Sequence, residues 1–432
     1  MIGALAPVIE EYGLLLVNIF RTSILTAIAT AARLLSGFIV MKLVAVMAGP
    51  DGVAQLGQFM SLTALLVVFA GGGVGPGVVK YLAEYRGDDA KVTLLLRAAF
   101  SFTLMASLGM CVLVLLFSRP ISAWLLGDEQ LRWLILVLAV AQIFVAMHNL
   151  VIATVNGMMD VKRLAAIHVG GAVVGVVLPS LLGYFFRLQG VLLAFVLAQA
   201  GLLLISFIAY RRSSYFNWAS IGWCVDRKNF NLLARFSLMT LTSALMAPVI
   251  QIVVRNYLAG EFSWSEVGYW QAVAKVSEAY LLFITMAISV YYLPRLSALS
   301  ERGAFIAEIR NGFLVLIPLV ALSAFIIYLC RGWVTTLLFS EAFHEGLYLY
   351  APQLLGDVIK IAAFLLSYVM LAKAMTRMFL FSEVVFGVTY VGWVVVLTGQ
   401  YGLIGSMYAF IVNYTIYFFF CAFVAARYIK KM

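Results

Sequence analysis

An arginine near the middle of a long apolar stretch is the first residue that suggests chemistry. Residues 21–48 could cross a bilayer core, which needs about 20 mostly apolar residues, and Arg33 lies near their centre. The polar or small residues that share its helix face, at intervals of three or four, are Thr22, Thr26, Thr30 and Gly37. A cation at this depth costs free energy and usually faces a protein interior or a water-filled cavity. Arg33 is therefore a candidate binding residue.

Charged residues in two later apolar stretches have a spacing that allows them to pair. Lys275 precedes Glu278 by three residues, so the two side chains can meet on one helix face. Asp357 and Lys360 have the same spacing, and the same pairing is possible there. These four residues can therefore be largely neutral as pairs.

Three cations in the predicted spans have no such neighbour: Arg33, Lys42 and Arg255. Lys42 and Arg255 lie toward the outer ends of their spans, where a side chain that reaches the membrane interface is the simpler alternative. An excess of positive charge inside the membrane favours an anionic ligand, because an arginine fork matches phosphate oxygens and a lysine adds a point charge.

The composition is that of a polytopic membrane protein. Hydrophobic residues make up 64% and charged residues 11% of the 432 residues, whereas soluble domains have about 45–50% and about 25%. Most Lys and Arg residues fall in the predicted connections on one side, and the connections on the other side carry only Arg119, Arg132, Arg187 and Arg331. By the positive-inside rule, both termini are expected in the cytoplasm. This distribution accounts for the net charge of +10 without a nucleic-acid partner.

A short repeat suggests how the chain is organised. Arg-Phe-Ser-Leu-Met-Thr at 235–240 resembles Arg-Thr-Ser-Ile-Leu-Thr at 21–26, about half the chain length away. Since six spans are predicted after each copy, we expect an all-α integral membrane protein of about twelve helices in two pseudo-symmetric six-helix bundles. The predicted segments are an N-terminal bundle at 21–210, a cytoplasmic linker at 211–235 and a C-terminal bundle at 236–432. Residues 1–20 form either an amphipathic helix at the membrane interface or a frayed extension.

The sequence lacks the patterns of a catalytic or metal-binding protein. The glycine-rich run at 71–77 has no Gly-Lys-Ser/Thr ending and lies at membrane depth, so a broken or closely packed helix is the better interpretation. The four cysteines and three histidines are too dispersed for a metal site. Because the predicted outer connections are short and hold no catalytic motif, we expect a transporter rather than an enzyme, without a metal or cofactor.

Several stretches of the second half resemble a known family. They are FSWSEVGYWQ at 262–271, AYLLFIT at 279–285, SVYYLP at 289–294 and QLLGDVIK at 353–360. They are similar to Wzx-type flippases of enterobacterial common antigen synthesis, in the multidrug/oligosaccharidyl-lipid/polysaccharide exporter superfamily. The resemblance implies two six-helix lobes around a central V-shaped cavity that opens alternately to either side. It also implies a cargo, an undecaprenyl-pyrophosphate-linked oligosaccharide such as lipid III of that antigen, which moves from the cytoplasmic to the periplasmic leaflet of the bacterial inner membrane.

Sugar contacts cannot be carried over from the family, so the roles expected of the polar residues are our own hypothesis for such a cargo. The expected pyrophosphate and sugar-head ligands are Arg33, Arg255, Lys360, Lys80 and Lys42. The expected hydrogen-bond partners of sugar hydroxyls are Gln271, Gln353, Gln142 and Asn149. Ion coupling would involve Asp357, Glu278 and Lys275, for which paired structural roles are the alternative. The expected partners are the glycolipid, membrane lipids, and the polymerase and chain-length regulator of the same pathway.

Two other functions stay open. A multidrug/cation antiporter of the same superfamily would need unpaired buried acids to attract a cation, whereas here the cations are in excess. A membrane glycosyltransferase or polymerase would need a large outer loop with catalytic carboxylates or arginines.

Overall fold

The computed structural model describes residues 6–127, 129–224 and 226–432, with side chains for most residues from 27 onward. This described part is built from helices without a β-strand. The α-helices are α1 (Ala6–Ala70), α2 (Gly75–Glu84), α3 (Asp89–Leu116), α4 (Ser118–Leu126), α5 (Arg132–Gly157), α6 (Val161–Arg211), α7 (Arg227–Glu261), α8 (Trp264–Ala287), α9 (Leu293–Ala298), α10 (Arg302–Leu329), α11 (Arg331–Leu338), α12 (Tyr350–Ala372), α13 (Thr376–Tyr401) and α14 (Gly405–Ile429). Short 3-10 segments lie at Glu129–Leu131, Trp218–Ser220, Glu341–Leu349 and Gly402–Ile404, and a π-helical turn lies at Ile288–Tyr292.

Seven helical stretches of the described residues are long and apolar enough to cross a membrane, by length and composition. One of them, Val161–Arg211, has 51 residues. A straight helix of that length would measure roughly 75 Å, far more than the roughly 30 Å of a bilayer core. The stretch must therefore turn back on itself, and the chain is a multi-pass helical membrane protein, as predicted. The count of twelve helices stays a prediction.

Residues with a left-handed backbone divide the two longest helices. In α1, Gly49 has a φ of 63° and is followed by Pro50, which has no N–H to continue the helical hydrogen bonds. In α6, Arg187 has a φ of 51°. A Cβ at Gly190 would lie 2.1 Å from the carbonyl oxygen of Leu182, so the chain packs very tightly where α6 is divided at Arg187.

The chain forms two compact units. The first unit contains the residues up to Val40 together with Thr63–Leu241, and the second contains Met41–Leu62 together with Thr242–Met432. This division differs from the predicted one, because residues 41–62 belong to the second unit. A Cβ at Gly268 would lie 2.2 Å from the carbonyl oxygen of Pro50, and this close approach fixes the segment against α8. The predicted bundles at 21–210 and 236–432, and the linker at 211–235, stay predictions.

Each unit has its own apolar core. In the first unit, buried side chains of α2, α3 and α5 meet Leu233 at the start of α7. In the second unit, the core joins α8, α10, α12 and α14 and contains large buried rings such as those of Tyr292 and Phe305. Lipid is as apolar as these side chains, so helices inside a bilayer are held together mainly by close van der Waals packing. Packing of this kind in the two cores holds the helices that carry the charged residues.

The glycine-rich run after α1 breaks the helix, as predicted. Gly72 and Gly73 have φ values of 62° and 63°, and α2 begins two residues later. A Cβ at Gly72 would lie 2.7 Å from the Phe102 ring, so the missing side chain lets α3 pack closely. At the other end of α1, the helical backbone is described from Ala6. The predicted amphipathic face of residues 1–20 depends on side chains that lie outside the described residues, so it stays a prediction.

Candidate functional site

The guanidinium of Arg255 on α7 is buried in the second unit, with 3% of the residue exposed. Its Nε donates to Oε1 of Gln271 at 2.8 Å, and its Nη1 donates to Oγ of Ser61 at 2.8 Å. Longer hydrogen bonds run from Nη1 to Oε1 of Gln58 at 3.3 Å and from Nη2 to Oε1 of Gln251 at 3.2 Å. Among the described residues, no carboxylate forms an ion pair with Arg255. Neutral oxygen atoms therefore stabilise this buried charge.

The partners of Arg255 are themselves held in place. Nε2 of Gln58 donates to Oδ1 of Asn256 at 2.8 Å, which fixes the orientation of its amide. These bonds join the segment Met41–Leu62 to α7 and α8.

The sequence did not identify Ser61 or Gln251 as part of the site, although Gln251 stands one helical turn before Arg255 and this spacing could have identified it. Gln271, expected to bind sugar, instead uses its side-chain oxygen for Arg255 and is 1% exposed.

A cavity of about 320 Å³ lies within the second unit, between α7, α8, α12, α13 and α14. Its charged lining residues are Lys360, Glu278 and Glu383. Its amide side chains are Gln251, Gln353 and Asn413. Aromatic lining residues include Trp270, Phe386, Tyr390, Phe410 and Tyr414. The structure thus brings together three residues predicted from sequence, namely Lys360, Glu278 and Gln353.

Lys360 is placed between aromatic rings rather than in an ion pair. Its Nζ lies 5.6 Å from the ring centroid of Tyr414 and 5.7 Å from that of Phe410, distances at which a ring face attracts a cation. The two charges of Lys360 and Asp357 interact electrostatically, but the predicted pair forms no direct contact within 4 Å. The reason is the direction of the carboxylate, which points to α8.

Asp357 is fully buried and accepts hydrogen bonds from three neutral donors. Oγ of Ser277 lies 2.6 Å from both carboxylate oxygens, the hydroxyl of Tyr280 donates at 2.8 Å, and Nε2 of Gln353 donates at 3.0 Å. A carboxylate with this many donors is satisfied without a cation. The arrangement joins α8 to α12 and indicates a structural role for Asp357.

The predicted pairing of Lys275 with Glu278 is confirmed, since Nζ of Lys275 lies 2.5 Å from Oε2 of Glu278. The carboxylate is half exposed and faces the cavity of the second unit. Glu383 also lines this cavity, and it was not among the acids selected from the sequence. Its place inside a predicted span could have identified it, because an acid there is unusual.

Lys42 forms a hydrogen bond within the second unit. Its Nζ donates to the backbone carbonyl of Thr336 on α11 at 2.6 Å. The hydroxyl of Thr336 in turn lies 2.8 Å from Nε2 of His344. Lys42 is half-buried, and its hydrogen bond to a helix carbonyl gives it a structural function that neither sequence alternative described.

A second cavity, of about 180 Å³, lies within the first unit, between α1 and the first turns of α6. Its lining residues are Ala29, Thr30, Arg33, Val161, Leu164, Ala165 and His168. Arg33 is exposed, and the described lining contains no carboxylate. Arg33 therefore shares this cavity with residues of the first turns of α6. Its central position along a membrane span stays a prediction.

The remaining predicted ligands do not line either of these two cavities in the described part of the chain. Lys80 on α2 is exposed, with its Nζ 4.8 Å from the ring centroid of Tyr81. Asn149 on α5 is exposed. Gln142 is fully buried, and its Nε2 donates to the carbonyl oxygens of Ser107 at 2.8 Å and Ala139 at 3.2 Å, so its amide is committed to the helix packing.

Charged side chains that line cavities inside an all-α membrane fold are typical of membrane transporters. The chain belongs to the family described as polysaccharide biosynthesis protein, which matches residues 19–300. It is 32% identical over 413 residues to the Lipid III flippase of Escherichia coli (strain K12), and the match covers 94% of this chain and 97% of the relative. The Lipid III flippase of Shigella flexneri matches with the same values. The predicted resemblance to Wzx-type flippases is confirmed.

Solved structures of other transporters have the same fold. The inward-facing conformation of a multidrug resistance MATE family transporter of the MOP superfamily superposes with a TM-score of 0.77 at 15% identity, over 95% of this chain and 99% of that one. The inward closed conformation of the lipid II flippase MurJ superposes with a TM-score of 0.75 at 14% identity, over 93% of this chain and 87% of that one. At these identities the likeness concerns the fold.

Proposed function

We propose that this protein is a flippase that moves an undecaprenyl-pyrophosphate-linked oligosaccharide, lipid III of enterobacterial common antigen, from the cytoplasmic to the periplasmic leaflet by alternating access. The observation that carries the proposal is the 32% identity to Lipid III flippases along 94% of the chain. The relatives are named flippases, which also favours a transporter over the glycosyltransferase or polymerase alternative. The cargo needs sites for a pyrophosphate and for sugars.

The cavity of the first unit suits the anionic part of such a cargo. Arg33 offers a guanidinium fork, and the described lining has no acid that would repel phosphate or occupy the arginine. A guanidinium forms charge-assisted hydrogen bonds to phosphate oxygens that are about twice as strong as neutral ones. We assign Arg33 to pyrophosphate binding.

The cavity of the second unit suits sugars. Its rings can pack against the apolar faces of a sugar, while Gln251, Gln353 and Asn413 can exchange hydrogen bonds with hydroxyls. Lys360 supplies a positive charge in the same cavity. Arg255 is a positioning residue in this proposal, since it holds Gln251, which lines the cavity.

Of the predicted ion-coupling residues, Glu278 is the one we assign to coupling. It lines the cavity and is half exposed, so a proton or cation can reach it. A cation that binds Glu278 would compete with its ion pair to Lys275. Asp357 is enclosed by its three donors, and we assign it a structural role.

We also propose that the protein lies in the bacterial inner membrane with both termini in the cytoplasm. The asymmetric distribution of Lys and Arg supports this orientation. The glycolipid cargo makes the polymerase and chain-length regulator of the same pathway plausible neighbours.

One observation favours a second candidate function, a cation antiporter. The cavity of the second unit contains two acids, Glu278 and Glu383, among aromatic rings, and this combination also suits an organic cation. Efflux of a cationic dye by cells that express the protein, without restoration of surface glycan, would support the antiporter.

Complementation of a strain that lacks its lipid III flippase tests the proposal. The wild-type protein should restore surface glycan, whereas Arg33→Ala at the same protein level should not, and Arg33→Lys should restore it in part. Normal glycan with Arg33→Ala would remove this residue from the mechanism. Failure of the wild-type protein in strains that lack different flippases would remove the proposed function.

A further inference from the structure

The cavity of the first unit contains a titratable residue with no assigned role. His168 on α6 lines it together with Arg33 on α1, and the two side chains are close enough to interact electrostatically. His168 is partly exposed, so it can be reached from the cavity. Thr30, one turn before Arg33, adds a hydroxyl to the same wall. The cavity thus presents a permanent cation beside a group that can become one.

The other charged or titratable groups near His168 lie on α5, at the start of α6 and on α1. From α5, His148 interacts with it electrostatically, but His148 is buried and its Nδ1 lies 2.9 Å from Oγ of Ser206. In the first turn of α6, Arg163 forms an ion pair with Asp160, and Lys162 is exposed. From α1, the interacting group is Arg33. Burial, the neighbouring Arg33 and whatever enters the cavity therefore set the charge of His168.

We propose that His168 is a second ligand of the anion site of Arg33, and that protonation of His168 controls how tightly this cavity binds a pyrophosphate. The inference rests on the proposed function and adds a ligand and a pH dependence to its anion site. Neutral imidazole offers one N–H to an anion, whereas imidazolium offers two and a positive charge. Next to Arg33, a second cation is unfavourable in the empty cavity and favourable once a pyrophosphate lies between the two.

Proton uptake and anion binding must then strengthen each other to the same degree. The proton is taken from bulk solvent, and no bond of the anion is broken. If anion binding changes the pKa of a single group by about 1, protonation of that group changes the anion affinity by about tenfold. Binding should therefore tighten as the pH falls from 8 to 6, through the range in which imidazole titrates.

The test uses farnesyl pyrophosphate as the probe and the purified full chain in detergent. For each protein the measured quantity is the ratio of its affinity at pH 6 to its affinity at pH 8. This ratio should be about tenfold larger for the wild-type protein than for His168→Gln, and the comparison also corrects for ionisation of the probe. His168→Arg should bind tightly with the pH profile of His168→Gln. His344→Gln, in the second unit, serves as the matched control and should retain the wild-type profile. Calorimetry in two buffers of different ionisation enthalpy should show proton uptake by the wild-type protein and none by His168→Gln.

A wild-type pH profile in His168→Gln, with proton uptake intact, would overturn the inference. If His168→Gln does not fold, the profile of His168→Arg decides the question, because a permanent cation must remove the part of the pH dependence that His168 contributes. Complementation by the wild-type protein separates the two proposals. Restored glycan together with an unchanged profile in the variants would reject only the role of His168, whereas a wild-type protein that never restores glycan would reject the proposed function.

Discussion

Nε of Arg255 donates to the side-chain oxygen of Gln271 at 2.8 Å, in a part of the second unit where the guanidinium is 3% exposed. The charge is held by neutral oxygens, and none of the described carboxylates pairs with it. Such an arrangement depends on every partner, because removal of one leaves a buried donor without an acceptor. It therefore fixes the relative positions of α7, α8 and the segment Met41–Leu62.

Replacement of Arg255 by Lys should destabilise the protein. Lysine keeps the charge but cannot match the planar fork, so at least one acceptor loses its donor at a cost of about 1–3 kcal/mol. A lower midpoint of thermal unfolding in detergent would show this. Arg302→Lys is the control, since Arg302 is exposed and should tolerate the change. An Arg255→Lys protein as stable as the wild type would mean that the network contributes little.

Replacement of Asp357 by Asn separates a structural role from ion coupling. An amide places an N–H group opposite one of the donors Ser277, Tyr280 and Gln353, so we expect a loss of stability of about 1–3 kcal/mol. The folded fraction should still export glycan. Normal thermal stability combined with abolished export would instead assign Asp357 to coupling.

Replacement of Glu278 by Gln should reduce export and leave the stability nearly unchanged. An exposed ion pair such as that with Lys275 contributes about 0–1 kcal/mol, so the midpoint of thermal unfolding should hardly change. Surface glycan should fall several-fold, because the cavity loses a titratable carboxylate. Glu301→Gln, at an exposed position outside the cavity, provides the matched control. Full glycan levels with Glu278→Gln would exclude this residue from coupling.

Replacement of Gly268 by Ala tests the contact that draws residues 41–62 into the second unit. The new Cβ would lie 2.2 Å from the carbonyl oxygen of Pro50, so helix α8 or the chain at Pro50 must shift. Overpacking of this kind typically costs about 1–3 kcal/mol, which should lower the midpoint of thermal unfolding. Gly260→Ala on α7 has nothing within 4 Å of its new Cβ and should be neutral or slightly stabilising. Equal stability of the two variants would show that the approach at Pro50 relaxes easily.

The spacing of charged residues inside apolar stretches showed which of them could form ion pairs. Whether a pair formed depended on the direction in which each side chain points. The three-residue spacing of Lys275 and Glu278 gave a true ion pair, because both side chains project from the same face of α8. The same spacing gave no direct contact between Asp357 and Lys360, because hydroxyl and amide donors on α8 and α12 satisfy the carboxylate. Local spacing shows which side chains can meet, whereas neighbouring helices decide whether they do.

Arg33 and His168 show the same limit for the cavity of the first unit. A cation in an apolar stretch is visible in the sequence because it is costly there, but a histidine 135 residues later is not linked to it by any periodicity. Only the packing of α1 beside the start of α6 places them in one cavity. Gln142 is the converse case, since a polar residue that suggested a ligand proved to be a buried packing element.

The sequence by itself determined that this chain is a multi-pass α-helical membrane protein, because apolar length and the free-energy cost of charge in hydrocarbon are local properties that each segment carries. Its resemblance to flippases rested on particular stretches such as residues 262–271. The tertiary structure decided which of the charged side chains are bonded to other protein groups and which line a cavity. That outcome depends on close contacts between residues far apart in sequence, such as Gly268 with Pro50 and Arg255 with Ser61. Hydrogen bonds of about 3 Å are set by the packing of whole helices, and no single segment specifies that packing.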